Sequence, residues 1–88
     1  MSLFDVSGKT ALVTGGGSGL GQFMATALAE AGVRIYLVGR REDRLRETLG
    51  NHDGAVFPLD LVERGSTDQL FAMVAAQSFQ PDIIVNAA

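Results

Sequence analysis

Eighty-eight residues, 47% of them hydrophobic and 19% charged, are enough for one small globular unit. A net charge of −3, with six arginines and a single lysine, excludes the broad basic footprint of a nucleic-acid binder. Cysteine is absent and His52 is the only histidine, so disulfides, thiolate metal sites and a histidine-built zinc site are excluded. The opening Met1-Ser2-Leu3-Phe4-Asp5 has no basic stretch leading into an apolar one, and no apolar run reaches the ~20 residues of a membrane span. A soluble, cytoplasmic protein is the expectation, with no membrane, metal or nucleic-acid partner.

In chain order, Thr10 to Thr14 reads as a buried strand, entered from Ser7-Gly8-Lys9 and left through a glycine cluster. Leu20, Phe23, Met24, Ala27, Leu28 and Ala31 then fall on one stripe of an α-helix, which predicts that Phe23 and Met24 pack in the core. Gly32 stands where a helix wants a left-handed closing residue. Arg34 to Val38 reads as a second strand. Arg41 to about Leu49 reads as a charged helix with Leu45 and Leu49 on one side, closed by Gly50-Asn51. His52 falls in the turn that follows and is expected to face solvent. Ala55 to Leu59 reads as a third strand. Ser66-Thr67-Asp68-Gln69 has the form of a capping box and opens a helix carrying Leu70, Met73, Val74 and Gln77. Asp82 to Asn86 reads as a fourth strand, after Pro81.

Apolar strands alternating with helical crossovers predict an α/β fold, a parallel sheet with helices on both faces. The strand order expected for nucleotide binding is 3-2-1-4. Ile83-Ile84-Val85 carries no charge, bulge or proline, as an interior strand would, and this predicts that further chain follows Ala88.

Between the first strand and first helix lies Thr14-Gly15-Gly16-Gly17-Ser18-Gly19-Leu20-Gly21, with five glycines in seven positions from Gly15. A backbone without Cβ atoms can turn sharply and approach a ligand. The helix that follows offers unpaired N–H groups and a positive dipole end, which suits a diphosphate. The G-x-G-x-x-G spacing does not fit, because Gly15-x-Gly17 runs into Leu20 and Gly17-x-Gly19 into Gln22. A P-loop does not fit either, since Lys9 precedes the strand.

The pattern present is Thr14-Gly15-x-x-x-Gly19-x-Gly21, and it resembles the fingerprint of the short-chain dehydrogenase/reductase family. Gly8 to Gly15 is similar to that family's opening strand. Asp60-Leu61 is similar to its adenine-contacting pair, and Val85-Asn86-Ala87-Ala88 to its N-N-A-G segment, with Ala87 at the second Asn position. The resemblance implies a Rossmann-type domain, of which residues 1–88 are the N-terminal, NAD(P)-binding half. It implies cofactor contacts at Gly15, Gly17, Ser18, Gly19, Leu20, Gly21, Arg40, Arg41, Asp60, Leu61, Asn86, Ala87 and Ala88.

NAD-binding Rossmann domains place a carboxylate at the end of the second strand, where it accepts bonds from the ribose hydroxyls. Here that position reads Val38-Gly39-Arg40-Arg41. A guanidinium suits a phosphate and an acid repels one, so NADP(H) is expected in preference to NAD(H). By resemblance Arg40 is the selective residue, while Arg41 either assists or simply begins helix two. Asp60 either accepts a bond from adenine or bonds neighbouring backbone amides. Asn86 is expected to tie adjacent strands together, with the backbone of Asn86 to Ala88 beside the cofactor. A methyltransferase of similar fold would want an acid where Gly39 and Arg40 stand.

In the family a Ser and a Tyr-x-x-x-Lys pair carry proton transfer as hydride moves between nicotinamide and substrate. This sequence has one tyrosine, Tyr36, and one lysine, Lys9, in the wrong order and spacing. Two readings follow: the cofactor half of an NADP(H)-dependent oxidoreductase acting on an alcohol or carbonyl, or a dinucleotide-binding module or sensor without catalysis. The opening Leu3 to Gly8 is similar to polyol and sugar-acid dehydrogenases of the family. Its members imply a homo-oligomer for the full protein.

Overall fold

The computed structural model describes residues 6–17, 19–60, 65–76 and 80–87. Its elements in chain order are β1 (Thr10–Thr14), α1 (Gly19–Glu30), β2 (Arg34–Gly39), α2 (Glu42–Leu49), β3 (Gly54–Pro58), α3 (Ser66–Ala76) and β4 (Ile83–Asn86). The strands form one parallel sheet in the order β3-β2-β1-β4. Thr14 lies opposite Val38 on one side and Asn86 on the other, and Gly39 lies opposite Pro58. The four strands therefore finish along a common edge. This is the Rossmann-type arrangement expected from the sequence.

Because side chains alternate along a strand, the sheet sorts its apolar residues into two layers. Ala11, Val13, Ile35 and Leu37 pack with Ala25 of α1 and Leu45 of α2 on one face. Leu12, Tyr36, Val38 and Phe57 pack with Leu70 of α3 on the other. On that second face the rings of Tyr36 and Phe57 stack with centroids 5.9 Å apart. Tyr36 is thus a core residue of the central sheet. Beyond its edge, Arg34 pairs with Asp53 at 3.1 Å, which holds the turn before β3 against β2. Asp53, with a smaller contribution from Tyr36, raises the Arg34 guanidinium pKa above its ordinary value.

Helix α1 ends as the sequence predicts. Gly32 takes φ +90°, donates to the Ala29 carbonyl, and is followed by Val33 donating to Leu28, each at 3.0 Å. These paired bonds satisfy carbonyls that a helix end would otherwise leave open.

The buried face of α1 is not the expected one. Phe23 is 70% exposed and Leu20 64%, whereas Gly21 and Ala25 are buried and Leu28 and Ala29 pack against the core. Met24 is only half-buried. The stripe of large side chains was legible, but the helix lies so near the sheet that the smallest residues must face it. In α3, Leu70 and Val74 pack on the sheet as expected, while Met73 joins Phe71 among the exposed residues. Gln77 and the Ser66 side chain of the expected capping box lie outside the described residues. β4 stands at the end of the sheet, as the order 3-2-1-4 requires, and Ile84 is 68% exposed. His52 is exposed, as expected.

Leu45 is fully buried between α2 and the sheet. Leu45→Ala is expected to cost ~2–5 kcal/mol, the usual range for a leucine removed from a packed core. Leu45→Met should cost less than ~1.5 kcal/mol. Urea unfolding of the variants measures both, and an unchanged midpoint for Leu45→Ala would contradict this packing.

Candidate functional site

The edge where the strands finish gathers almost every residue singled out from the sequence. Gly15 leaves β1 with φ +74°, and the amides of Gly15 and Gly16 both donate to the Val38 carbonyl, at 2.8 and 3.2 Å. The chain is thereby turned across the end of β2 before it enters α1. A Cβ on Gly21 would overlap the Gly15 carbonyl and stand 3.1 Å from the Gly16 Cα. The first turn of α1 can rest on the loop only because that position is glycine.

A Cβ on Gly19, in contrast, would meet nothing within 4 Å among the described residues. Gly19 and Leu20 begin α1 at an exposed position, and the first turn contains no acidic residue. Open backbone, helix amides and no carboxylate are what an anionic group needs.

The other strand ends frame this loop. Gly39 ends β2, and a Cβ there would lie 3.8 Å from the Gly17 amide nitrogen and 3.2 Å from a Leu45 methyl. Arg40 follows, exposed, and no ion-pair or hydrogen-bond partner of its side chain is present among the described residues. Arg41, also exposed, stands at the N-cap of α2 without a capping side-chain bond, its Nε 3.9 Å from an Asp43 carboxylate oxygen. The Leu59 amide donates to the Gly39 carbonyl at 2.7 Å, which places the half-buried Asp60 beside the end of β2.

On the opposite side, the buried Thr14 hydroxyl donates to the Asn86 side-chain oxygen at 2.9 Å. The Ala87 amide donates to the Thr14 carbonyl at 3.0 Å. Asn86 thus ties β4 to β1, as expected, and Ala87 is drawn to the mouth of the glycine loop. Ser18, Leu61 and Ala88 lie outside the described residues.

Two residues of α2 join the site without having been singled out from sequence. The Thr48 hydroxyl lies 3.2 Å from the Gly16 carbonyl oxygen and 3.0 Å from that of Arg44, and its proton is shared between them. Arg44 packs its stem on Gly17, whose Cβ position is 3.3 Å from the Arg44 Cβ. A threonine one turn beyond an arginine marks a common helix face, but nothing in the sequence says that this face meets the loop.

The opposite end of the sheet carries a shallow groove of about 300 Å³ beside Lys9, Thr10, Gly32, Arg34 and Asp53. It shares no residue with the glycine loop.

The family described as short chain dehydrogenase matches residues 9–88. A short chain dehydrogenase of Pseudocercospora fijiensis is 36% identical over 96% of this chain and 29% of its own length. Among solved structures, the Pseudomonas aeruginosa RhlG/NADP active-site complex superposes with a TM-score of 0.87. It is 34% identical over 97% of this chain and 36% of that one. The actinorhodin polyketide ketoreductase solved with NADPH gives a TM-score of 0.79 and 30% identity, over 91% of this chain and 33% of that one. The chain spans about a third of the length of the relatives it matches.

The two glycines of α1's first turn should answer differently to the same substitution. Gly21→Ala is expected to lose ~1–3 kcal/mol, since the added methyl must displace backbone. Gly19→Ala should stay within ~0.5 kcal/mol of wild type. Thermal unfolding of the pair, side by side, checks the contrast.

Proposed function

This chain belongs to the short chain dehydrogenase family, and we propose that it forms the cofactor-binding part of an NADP(H)-dependent oxidoreductase. The observation that carries the cofactor preference is the end of β2. Gly39 brings no carboxylate to the position beside the Gly17 amide. Arg40, the next residue, holds its guanidinium exposed with no acidic partner among the described residues. A 2′-phosphate on the adenosine ribose would meet a permanent planar cation there. Relatives solved with NADP or NADPH agree with this reading.

The residues present fit such a dinucleotide. The amides at the head of α1 and the open space at Gly19 would receive the diphosphate. Arg40 would take the 2′-phosphate. Asp60 would accept from the adenine amino group, next to Leu61. Gly15, Gly17, Ser18, Leu20 and Gly21 would shape the loop, and Asn86 to Ala88 would line the side towards the reacting ring. Arg41, at the N-cap and near Asp43, begins α2 and adds positive charge nearby.

The bound nicotinamide would supply the hydride that moves to or from an alcohol or carbonyl substrate. Proton transfer to that substrate needs a group that these residues do not offer. Tyr36 is buried in β2 against Phe57, and Lys9 stands before β1, at the opposite end of the sheet from the glycine loop. The reacting tyrosine and lysine are therefore assigned to chain outside these 88 residues, with residues 1–88 as the first half of one nucleotide-binding domain. The full protein is assigned as a soluble homo-oligomer.

The double substitution Gly39→Asp, Arg40→Ala tests the preference. Its new Cβ needs only a slight shift of a Leu45 methyl. Fluorescence titration should show wild type favouring NADPH over NADH, and the variant reversing the order by ~100-fold or more, as one attractive charge is lost and one repulsive charge is gained. Equal NADPH affinity in both proteins would overturn the reading. Gly19→Ala should weaken both coenzymes by at least ~10-fold, while remaining folded, because its methyl enters the space left for the diphosphate.

A further inference from the structure

We infer that Arg44 is a second specificity-determining residue for the 2′-phosphate, acting with Arg40 from the other side of Gly17. The inference rests on the NADP(H) reading of the site and adds to it a residue that lies four positions further along the chain, on a different element.

Three observations converge. First, Gly17 lies between the end of β2, which leads into Arg40, and the Cβ of Arg44. The Cβ position of Gly39, immediately before Arg40, lies 3.8 Å from the Gly17 nitrogen, and the Cβ position of Gly17 lies 3.3 Å from the Arg44 Cβ. Second, the charges of α2 are divided unequally. Glu42 is held by Arg46 at 2.7 Å, Asp43 lies 3.9 Å from Arg41, and Glu47 makes no ion pair among the described residues. Arg40 and Arg44 are left without an ion-pair partner among the described residues, and both are exposed.

Third, α2 is fixed to the loop, so the position of Arg44 relative to Gly17 is not left to side-chain chance. Thr48 bonds the Gly16 carbonyl at 3.2 Å. A methyl of the fully buried Leu45 lies 3.4 Å from the Cβ position of Gly16 and 3.2 Å from that of Gly39.

A doubly charged phosphate beside Gly17 would be drawn to two cations that have no ion-pair partner among the described residues. Guanidinium forks presented from two sides also bond more of its oxygens than a single arginine does. An arginine in the first turn of a helix stands against the helix dipole, a small cost that an anion at this place offsets. Arg41 has a carboxylate within 4 Å and points its charge into that pairing. Arg44, and not Arg41, is thus the second arm.

Arg44→Gln, Arg44→Lys, Arg41→Gln and Arg40→Ala in the full-length protein, titrated with NADPH and with NADH at two salt concentrations, test this. Arg44→Gln should weaken NADPH by about tenfold, the loss of one charge-assisted contact. NADH affinity should stay within about twofold of wild type, and the salt dependence of NADPH binding should become shallower. Arg44→Lys should recover part of the loss, and Arg41→Gln, which removes only a nearby positive charge, should weaken NADPH less than Arg44→Gln does. Wild-type NADPH affinity in Arg44→Gln, with Arg40→Ala still weakened, would overturn the role of Arg44 alone. Equal weakening of NADPH and NADH by Arg44→Gln would also overturn it, and would assign the residue to the shape of the loop. A wild-type protein indifferent between the two coenzymes, and unaffected by Arg40→Ala, would remove the NADP(H) reading and this inference together.

Discussion

The contact between Gly21 and the Gly15 carbonyl sets the distance at which α1 rides on the end of β1. Everything at the site follows from that spacing. The loop cannot lift off, because its Gly15 and Gly16 amides are bound to the Val38 carbonyl. The helix cannot retreat, because Ala25 beneath it is completely buried against the sheet. A side chain at position 21 would have to push one of these apart, and both are backbone held by neighbouring strands. The first amides of α1 are thereby presented beside the strand ends, at the crevice where open parallel sheets gather their ligands.

The same close approach explains where sequence reading succeeded and failed. Strands were legible because a parallel sheet covered on both faces needs uninterrupted apolar runs, and Ala11-Leu12-Val13 and Ile35 to Val38 are such runs, all buried. Gly32 was legible because a helix end has a local chemical requirement. The face of α1 was not. Hydrophobic periodicity weighs Phe23 heavily and Gly21 hardly at all, yet packing at short distance selects for small volume. Phe23 therefore points outward, and the face shifts by one residue to Gly21, Ala25, Leu28 and Ala29.

Of the site, the parts carried by one continuous segment could be read, and those made by two segments could not. The glycine loop is a single run with a distinctive spacing. Arg40 was legible because its place is fixed by the end of a strand. Thr48 and Arg44 reach the loop through the packing of Leu45, thirty residues from Gly15 in the chain, and no local pattern records that meeting. Asn86 lay between these cases. Its bond to Thr14 joins strands 72 positions apart, but the strand order, once inferred, makes the two residues neighbours.

Charge is distributed at this edge in a way that the overall balance of −3 conceals. The backbone amides of α1 attract any diphosphate and cannot tell NAD from NADP, because both carry the same one. Discrimination must come from outside the loop, from groups that address the ribose. On the proposed reading β2 and α2 supply them, and two of the acids of α2, Glu42 and Asp43, lie beside Arg46 and Arg41. Arg40 and Arg44 have no ion-pair partner among the described residues. Under that proposal affinity and selectivity reside on separate elements joined by the buried Leu45. Selectivity would then change by substitution at the end of β2 without disturbing the contact at Gly21 on which the proposed diphosphate site is built.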